Sequence, residues 1–190
     1  GVWSFCKDIQ GQTLFDPLGR EGTNPIRRGE RLRIREIQEK DNARIEAIIK
    51  RSLEAHQLNI PGTAYFDPYL GELSHYYETQ PNAAYWVVVN EKDEAQGGVG
   101  IGPFGDHKGV GELQKLYLAP EVQGKGFGKK LMEIALEFAE KHYDYCYLET
   151  FESLETANHL YETFGFEKMD EPLTGSEHNA CDAWYIKKLK

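Results

Sequence analysis

The tightest grouping of residues able to do chemistry is Gln123-Gly124-Lys125-Gly126-Phe127-Gly128. It follows an apolar, strand-like run over residues 113–118. It opens an amphipathic, helix-like run over residues 129–142. Glycine lets a backbone turn sharply and brings its amides close to a ligand with no side chain between. The first amides of a helix lack internal acceptors, and the helix dipole favours an anion beside them. A junction of this kind is suited to a phosphate or pyrophosphate; the competing reading is a glycine-rich turn with no ligand. Two nucleotide loops are excluded by spacing. A Walker loop needs Lys-Ser/Thr after its last glycine, and here Gly128 is followed by Lys129-Lys130, with no hydroxyl for magnesium. A dinucleotide fingerprint needs Gly-x-Gly-x-x-Gly, and the last interval here is one residue short.

The elements that must position this loop can be read from periodicity. Residues 31–37 alternate Arg31, Arg33 and Arg35 with Leu32 and Ile34, the period of a strand with one wet face. A phosphate-binding patch is the alternative for these arginines. Asp41-Asn42 offers a helix cap, after which Ile45, Ile48, Ile49 and Leu53 recur at helical spacing. Residues 68–77 suggest a second, shorter helix. Residues 84–90 are strongly β-prone, 95–101 follow after a turn, and 110–118 lead into the glycine loop. In the next helix Phe127, Leu131, Ile134, Ala135 and Phe138 share a face. A strand over 145–150, a helix over 153–164 capped by Ser153, and strands over 166–169 and 183–189 complete the chain. Residues 1–29 have no sustained period and read as an arm or extension, which leaves 30–190 as the folded domain.

Composition narrows the function. A net charge of −9 opposes non-specific nucleic acid binding, because the phosphate backbone is repelled overall. No apolar run approaches the roughly 20 residues needed to cross a bilayer, and there is no charged-then-apolar leader. Cys6, Cys146 and Cys181 are too few and too scattered for a disulfide framework, so a cytoplasmic protein is expected. His178, Cys181 and Asp182 supply metal-ligand types, but no second cluster completes a four-ligand site, so no metal is expected.

The glycine loop fits, at every fixed position, the pattern Gln/Arg-x-x-Gly-x-Gly/Ala. Together with Leu116-Tyr117-Leu118-Ala119-Pro120-Glu121 it resembles the coenzyme A pyrophosphate loop of the GNAT-type N-acetyltransferases. The order of elements over 30–190 is also that of the GNAT fold. The resemblance implies an α/β architecture with a central, mostly antiparallel twisted sheet flanked by helices. It implies acetyl-CoA as co-substrate, held in a splay between the strand before the loop and the strand after its helix. Direct transfer to a primary amine in a ternary complex would follow; the alternative is a non-catalytic acyl-CoA-binding or sensor module of the same fold. Amides at Leu116, Tyr117 and Leu118 would meet the acetyl oxygen and pantetheine arm. Gln123, Gly124, Lys125, Gly126, Phe127, Gly128 and Lys129 would form the pyrophosphate site.

The same resemblance assigns roles beyond the loop. Glu112 would draw the amine proton, with its pKa raised by a partly apolar cleft. Lys115 would compete with a cationic amine. Tyr161, in His159-Leu160-Tyr161-Glu162-Thr163-Phe164-Gly165-Phe166, would protonate the leaving thiolate. An asparagine common in the family seven residues before this tyrosine is Leu154 here, and Asn158 is too near to inherit its role. The acceptor would lie between residues 56–78 and the 170–182 loop, with Tyr69 and His178 as candidate contacts. It would be a small-molecule or peptide amine; neither nucleic acid nor membrane is an expected partner, and a homodimer is possible.

Overall fold

The structure, a computed structural model, describes residues 31–190. The arm expected over 1–29 lies outside the described residues. Seven strands form one sheet in the order β1-β2-β3-β4-β5-β7-β6. They are β1 (Arg33–Glu36), β2 (Ala84–Val89), β3 (Ala95–Pro103), β4 (Val110–Leu118), β5 (Tyr145–Thr150), β6 (Glu167–Met169) and β7 (Ala183–Lys188). Every neighbouring pair is antiparallel except β4 and β5. Parallel neighbours need a long crossover, and α3 (Phe127–His142) provides it.

The sheet is covered on both faces. Strand β2 shows why its sequence suits the middle of such a layer. Trp86 and Val88 enter the core under α3, while Tyr85, Val87 and Val89 enter the core under α1 (Asn42–Ala55) and α2 (Leu73–Thr79). Helix α1 buries Ile45, Ile49 and Leu53, one residue per turn. Helix α3 buries Phe127, Leu131, Met132, Ala135, Leu136 and Ala139; full burial of Leu131 or Met132 is worth roughly 2 kcal/mol each. Helix α4 (Glu155–Thr163) joins the α3 layer through Tyr161, Ala157 and Leu160.

Three local expectations are corrected. The helix expected from residue 68 starts later. Asp67 is extended before Pro68, a 3-10 turn runs over Leu70–Glu72, and α2 begins only at Leu73. Asp41 stands at the N-cap of α1 as expected, but its side chain makes no cap hydrogen bond, because its carboxylate accepts from Gln38 N at 2.8 Å and binds the Arg35 guanidinium at 2.7 and 3.0 Å. Leu154, not Ser153, stands at the N-cap of α4. The arginine strand is not a phosphate patch among the described residues. Arg33 and Arg35 converge on Asp93 at 2.5 and 3.0 Å, and Lys40 joins them. These opposite charges give the edge strand β1 a partnered, polar outer face.

Candidate active site

The site begins where β4 and β5 part. Their pairing consists of Val110 with Tyr145, Gly111 with Cys146, and Glu112 with Tyr147. From Leu113 to Leu118, β4 has no strand partner on its β5 side, while β5 continues against β7 to Thr150. The sheet therefore splits into a wedge with Glu112 at its apex. Leu116, Tyr117 and Leu118 lie along the β4 side of the wedge. Leu116 and Leu118 pack toward α3, and Tyr117 packs toward α1 and α2.

A bulge in β4 shapes this wedge. Gly98 pairs with Tyr117 but Gly100 pairs with Gln114, so β4 carries one extra residue. Lys115 takes it up with φ +51°, a left-handed conformation that side-chain-bearing residues seldom adopt. Without the bulge, alternation would send Lys115 to the face of Leu113, under α3. With it, Lys115 joins Glu112 and Gln114 on the α1/α2 face. Its carbonyl accepts a 3.0 Å hydrogen bond from the Tyr85 hydroxyl. Its side chain is 2% exposed, and Nζ lies 2.6 Å from Asp67 Oδ2 and 5.0 Å from the Tyr69 ring centre. The expectation that Lys115 would compete with a cationic amine is thus corrected, since its charge is withdrawn into a buried pair.

At the mouth of the wedge the glycine loop enters α3. Gly126 is the N-cap at φ +82°, and Gly124 lies at φ +73°. A Cβ at either position would meet nothing within 4 Å, so backbone conformation rather than crowding by the protein favours glycine. The first helical bond runs from Lys130 N to Gly126 O at 3.3 Å. Among the described residues the amides of Gly124, Lys125, Gly126, Phe127, Gly128 and Lys129 have no backbone acceptor. Open space in front of free amides at a helix N-terminus fits a pyrophosphate. Phe127 points inward, buried in the α3 core. Gln123 faces back instead, donating from Nε2 to Leu118 O at 2.9 Å, which ties the loop to the end of β4.

Glu112 has the environment of a proton acceptor. Burial pushes its pKa up from 4.5 to about 7; the Gln114 amide, donating to Oε2 at 2.6 Å, opposes that rise, and Glu149 adds to it. Gln114 is itself fixed by the Tyr77 hydroxyl, which donates to Oε1 at 2.7 Å. The end of the Tyr77 ring occupies the place a side chain at position 100 would take, so Gly100 is needed for this close approach. Tyr161 is buried against Phe166 and Tyr185. Burial, and then Tyr185 and Cys181, hold its hydroxyl well above the usual tyrosine range, so it stays protonated. Among the described residues that hydroxyl has no hydrogen-bond partner.

The acceptor side is built from two loops that sequence reasoning named and one residue that it missed. Asp67 joins them. Its Oδ1 lies 3.0 Å from His178 Nε2 and its Oδ2 pairs with Lys115. Ala180 N donates to Gly62 O at 3.2 Å beside this link. Burial alone would lift the Asp67 carboxyl, but His178 and Lys115 together hold it below its ordinary value. Burial alone would lower His178, but Asp67 raises it. Tyr69 stacks on Tyr76, with ring centres 3.9 Å apart and planes 7° apart. A lone carboxylate inside Tyr65-Phe66-Asp67-Pro68-Tyr69 was the available signal for Asp67.

Three other residues are accounted for. Asn158 is buried and structural, donating to Phe151 O at 2.9 Å and receiving from Thr150 Oγ1 at 3.3 Å. Leu154 packs into the α1/α2 core. The Cys181 thiol is pushed up to about 12, first by burial and then by Glu149 and Glu112. It is a neutral thiol and no nucleophile. Among the described residues no group of three or more His, Cys, Asp or Glu could hold a metal ion, and no helix is long and apolar enough to cross a membrane.

A mixed sheet split beside a glycine-rich helix N-terminus defines the class of fold that carries acyl-CoA-dependent transfer. Residues 51–166 match the profile described as the Acetyltransferase (GNAT) family. The chain is 39% identical over 159 residues to the uncharacterized N-acetyltransferase YjgM of Escherichia coli K12, covering 82% of this chain and 94% of that protein. Its fold is similar to that of an acetyltransferase of the GNAT family from Staphylococcus aureus Mu50, at TM-score 0.71 and 21% identity over 84% of this chain and all of the other. It is also similar to that of the PaiA N-acetyltransferase from Thermoplasma acidophilum, solved in complex with coenzyme A. That match has TM-score 0.63 and 20% identity, and covers 83% of this chain and 99% of the other. The chain belongs to the GNAT family and is an acetyl-CoA-dependent acyltransferase. The enzyme, rather than the non-catalytic module, is the reading that stands.

Proposed function

We propose that this enzyme moves an acetyl group from acetyl-CoA to a primary amine by direct transfer in a ternary complex, with Glu112 as general base and Tyr161 as general acid. The observation that carries this reading is the place of the Glu112 carboxyl at the apex of the β4–β5 wedge, in surroundings that push its pKa up to about 7. A base so tuned is ionised in a useful fraction near neutral pH and still holds a proton well.

Acetyl-CoA supplies an acyl carbon already activated as a thioester, so that a C–N bond forms as the C–S bond breaks, with net release of one proton per ammonium consumed. The amides of residues 124–129 hold the pyrophosphate at the mouth of the wedge. The unpaired edge of β4 from Leu116 to Leu118 receives the pantetheine arm, and its backbone donors favour the oxygen that gains negative charge. Glu112 takes one proton from the acceptor ammonium and returns it to solvent. Tyr161 gives its proton to the departing sulfur and regains one from the acylated nitrogen. The Asp67–His178 link closes the acceptor side and limits water around the reacting groups.

The acceptor is proposed to be a small-molecule or peptide amine. A thiol-release assay with spermidine, L-aspartate, a free-amino-terminal tripeptide and an amino-terminally blocked lysyl peptide tests this. Turnover of at least one, with the acetylated amine found by mass spectrometry, is the expected result. Acetyl-CoA binding without transfer to any primary amine would sink the catalytic assignment.

A further inference from the structure

Two buried side-chain oxygens lack a hydrogen bond among the described residues, Asp67 Oδ2 and Glu149 Oε1. Asp67 Oδ2 has an ionic partner in Lys115 Nζ at 2.6 Å. Glu149 takes part in no ion pair among the described residues; the neutral Tyr147 hydroxyl lies close enough to favour its charged form, but Oε1 itself accepts no hydrogen bond there. An unsatisfied buried carboxylate oxygen is costly, the more so when the group is charged. Such an atom calls for a missing partner.

The place of Glu149 in the sheet indicates what that partner is. Glu112 is level with Tyr147 at the last β4–β5 pair, and side chains level across paired strands share a face. Glu149 is two residues beyond Tyr147, so it lies on that same face, one step into the wedge. The opposite face is taken by Cys146 and Leu148, both in the core under α3. Oε2 of Glu149 is held by the Ser176 hydroxyl at 2.5 Å, and Ser176 Oγ also receives His178 N at 3.2 Å. The carboxylate is thus anchored on one oxygen by the loop that closes the acceptor side, and its other oxygen is buried without a hydrogen bond among the described residues. Glu112 differs, since Gln114 already donates to its Oε2.

Resting on the transfer reading above, we propose that Glu149 Oε1 is the acceptor-binding group of this site: it receives the ammonium of the incoming amine and holds the nitrogen beside Glu112, which then takes the proton. The chemical class that satisfies a buried, anchored carboxylate oxygen here is a primary ammonium, which brings both donors and charge. Division of labour follows. Glu149 fixes position and charge preference, while Glu112 does the proton transfer.

Glu149→Gln keeps the shape and removes the charge; Glu149→Asp keeps the charge. The amine panel is measured at saturating acetyl-CoA. A tenfold or greater rise in acceptor KM for Glu149→Gln is expected, with kcat within about threefold, smaller loss in Glu149→Asp, and unchanged acetyl-CoA affinity by calorimetry. A tenfold weakening is about 1.4 kcal/mol. Independently of turnover, saturation-transfer NMR follows n-butylammonium on the CoA-bound protein. Binding to wild type and loss in Glu149→Gln supports the assignment. Equal binding to both, or none to wild type, overturns it, as does a Glu149→Gln enzyme whose kcat falls while KM holds. If no amine on the panel is acetylated while butylammonium binding still depends on Glu149, the transfer reading fails and this one survives.

Discussion

Replacing Glu112 with glutamine separates what this residue does for the reaction from what it costs the fold. The carboxyl has a pKa near 4.5 when exposed and about 7 in the folded protein. Between those values the folded state binds the extra proton, so stability falls as pH rises through that window. The contribution is fully present below about pH 4.5, is lost progressively up to about pH 7, and is constant above. At about 1.4 kcal/mol per unit, the total loss is about 3.5 kcal/mol, of which about 2.5 kcal/mol falls between pH 5 and pH 8.5. Glutamine is nearly isosteric and does not titrate, and its side-chain oxygen can still accept from Gln114. Glu112→Gln is therefore expected to gain about 2.5 kcal/mol on wild type as pH goes from 5 to 8.5, read from urea unfolding at a series of pH values. The same substitution should lower kcat by roughly 10²- to 10⁴-fold and erase an activity limb centred near pH 7 in wild type. Parallel stability curves for the two proteins across this range would refute the burial argument. A wild-type rate that is flat through pH 7 would refute the role as base.

The other perturbations test separate parts of the site. Gly126→Glu places a side chain at φ +82° and an anion where a pyrophosphate is proposed; the strain alone is roughly 1–2 kcal/mol, and calorimetry should show acetyl-CoA affinity reduced by more than tenfold. Tyr161→Phe should lower kcat by about 10²-fold while acetyl-CoA affinity stays within twofold, and loss of binding instead would make Tyr161 a packing residue. Asp67→Asn leaves Lys115, with its side chain 2% exposed, as a buried cation without its counter-charge. About 3 kcal/mol of stability should be lost by urea unfolding, and more than half recovered in the Asp67→Asn, Lys115→Met double variant.

What could be read along the chain was what depends on neighbours in sequence. Gln123 to Gly128 announces itself because a helix N-terminus with left-handed glycines is a local structure. Strand β2 does so because its alternation of Trp86 and Val88 with Tyr85, Val87 and Val89 serves both cores. The bulge in β4 left a faint mark. Leu113 is followed by Leu116 and Leu118, an interval of three inside a period of two, and the extra residue falls between the first two. The polar link of the acceptor wall left almost none. Asp67 lies 48 positions from Lys115 and 111 from His178, and only the folded chain brings them into one cluster. Glu149 was hidden differently. It sits in a strand whose apolar and aromatic residues predict the element well, and nothing in that run of residues marks its carboxylate as lying beside the wedge.

Lys115 connects the two halves of the site. Its left-handed backbone, costing roughly 1–2 kcal/mol, creates the bulge within the unpaired edge of β4. Its side chain, turned to the acceptor face by that bulge, holds Asp67 and through it His178. The strain is therefore not isolated. It is held by the Tyr85 hydroxyl on the Lys115 carbonyl and by the buried ion pair on its ammonium. A change that flattened the bulge would send Lys115 under α3, into the apolar core of Leu113, Leu131 and Ala135, and would release the acceptor wall at the same time. The donor edge and the acceptor wall are thus coupled through one residue. Substitutions in the wall, at Asp67 or His178, should be felt in β4 geometry as well as in acceptor binding.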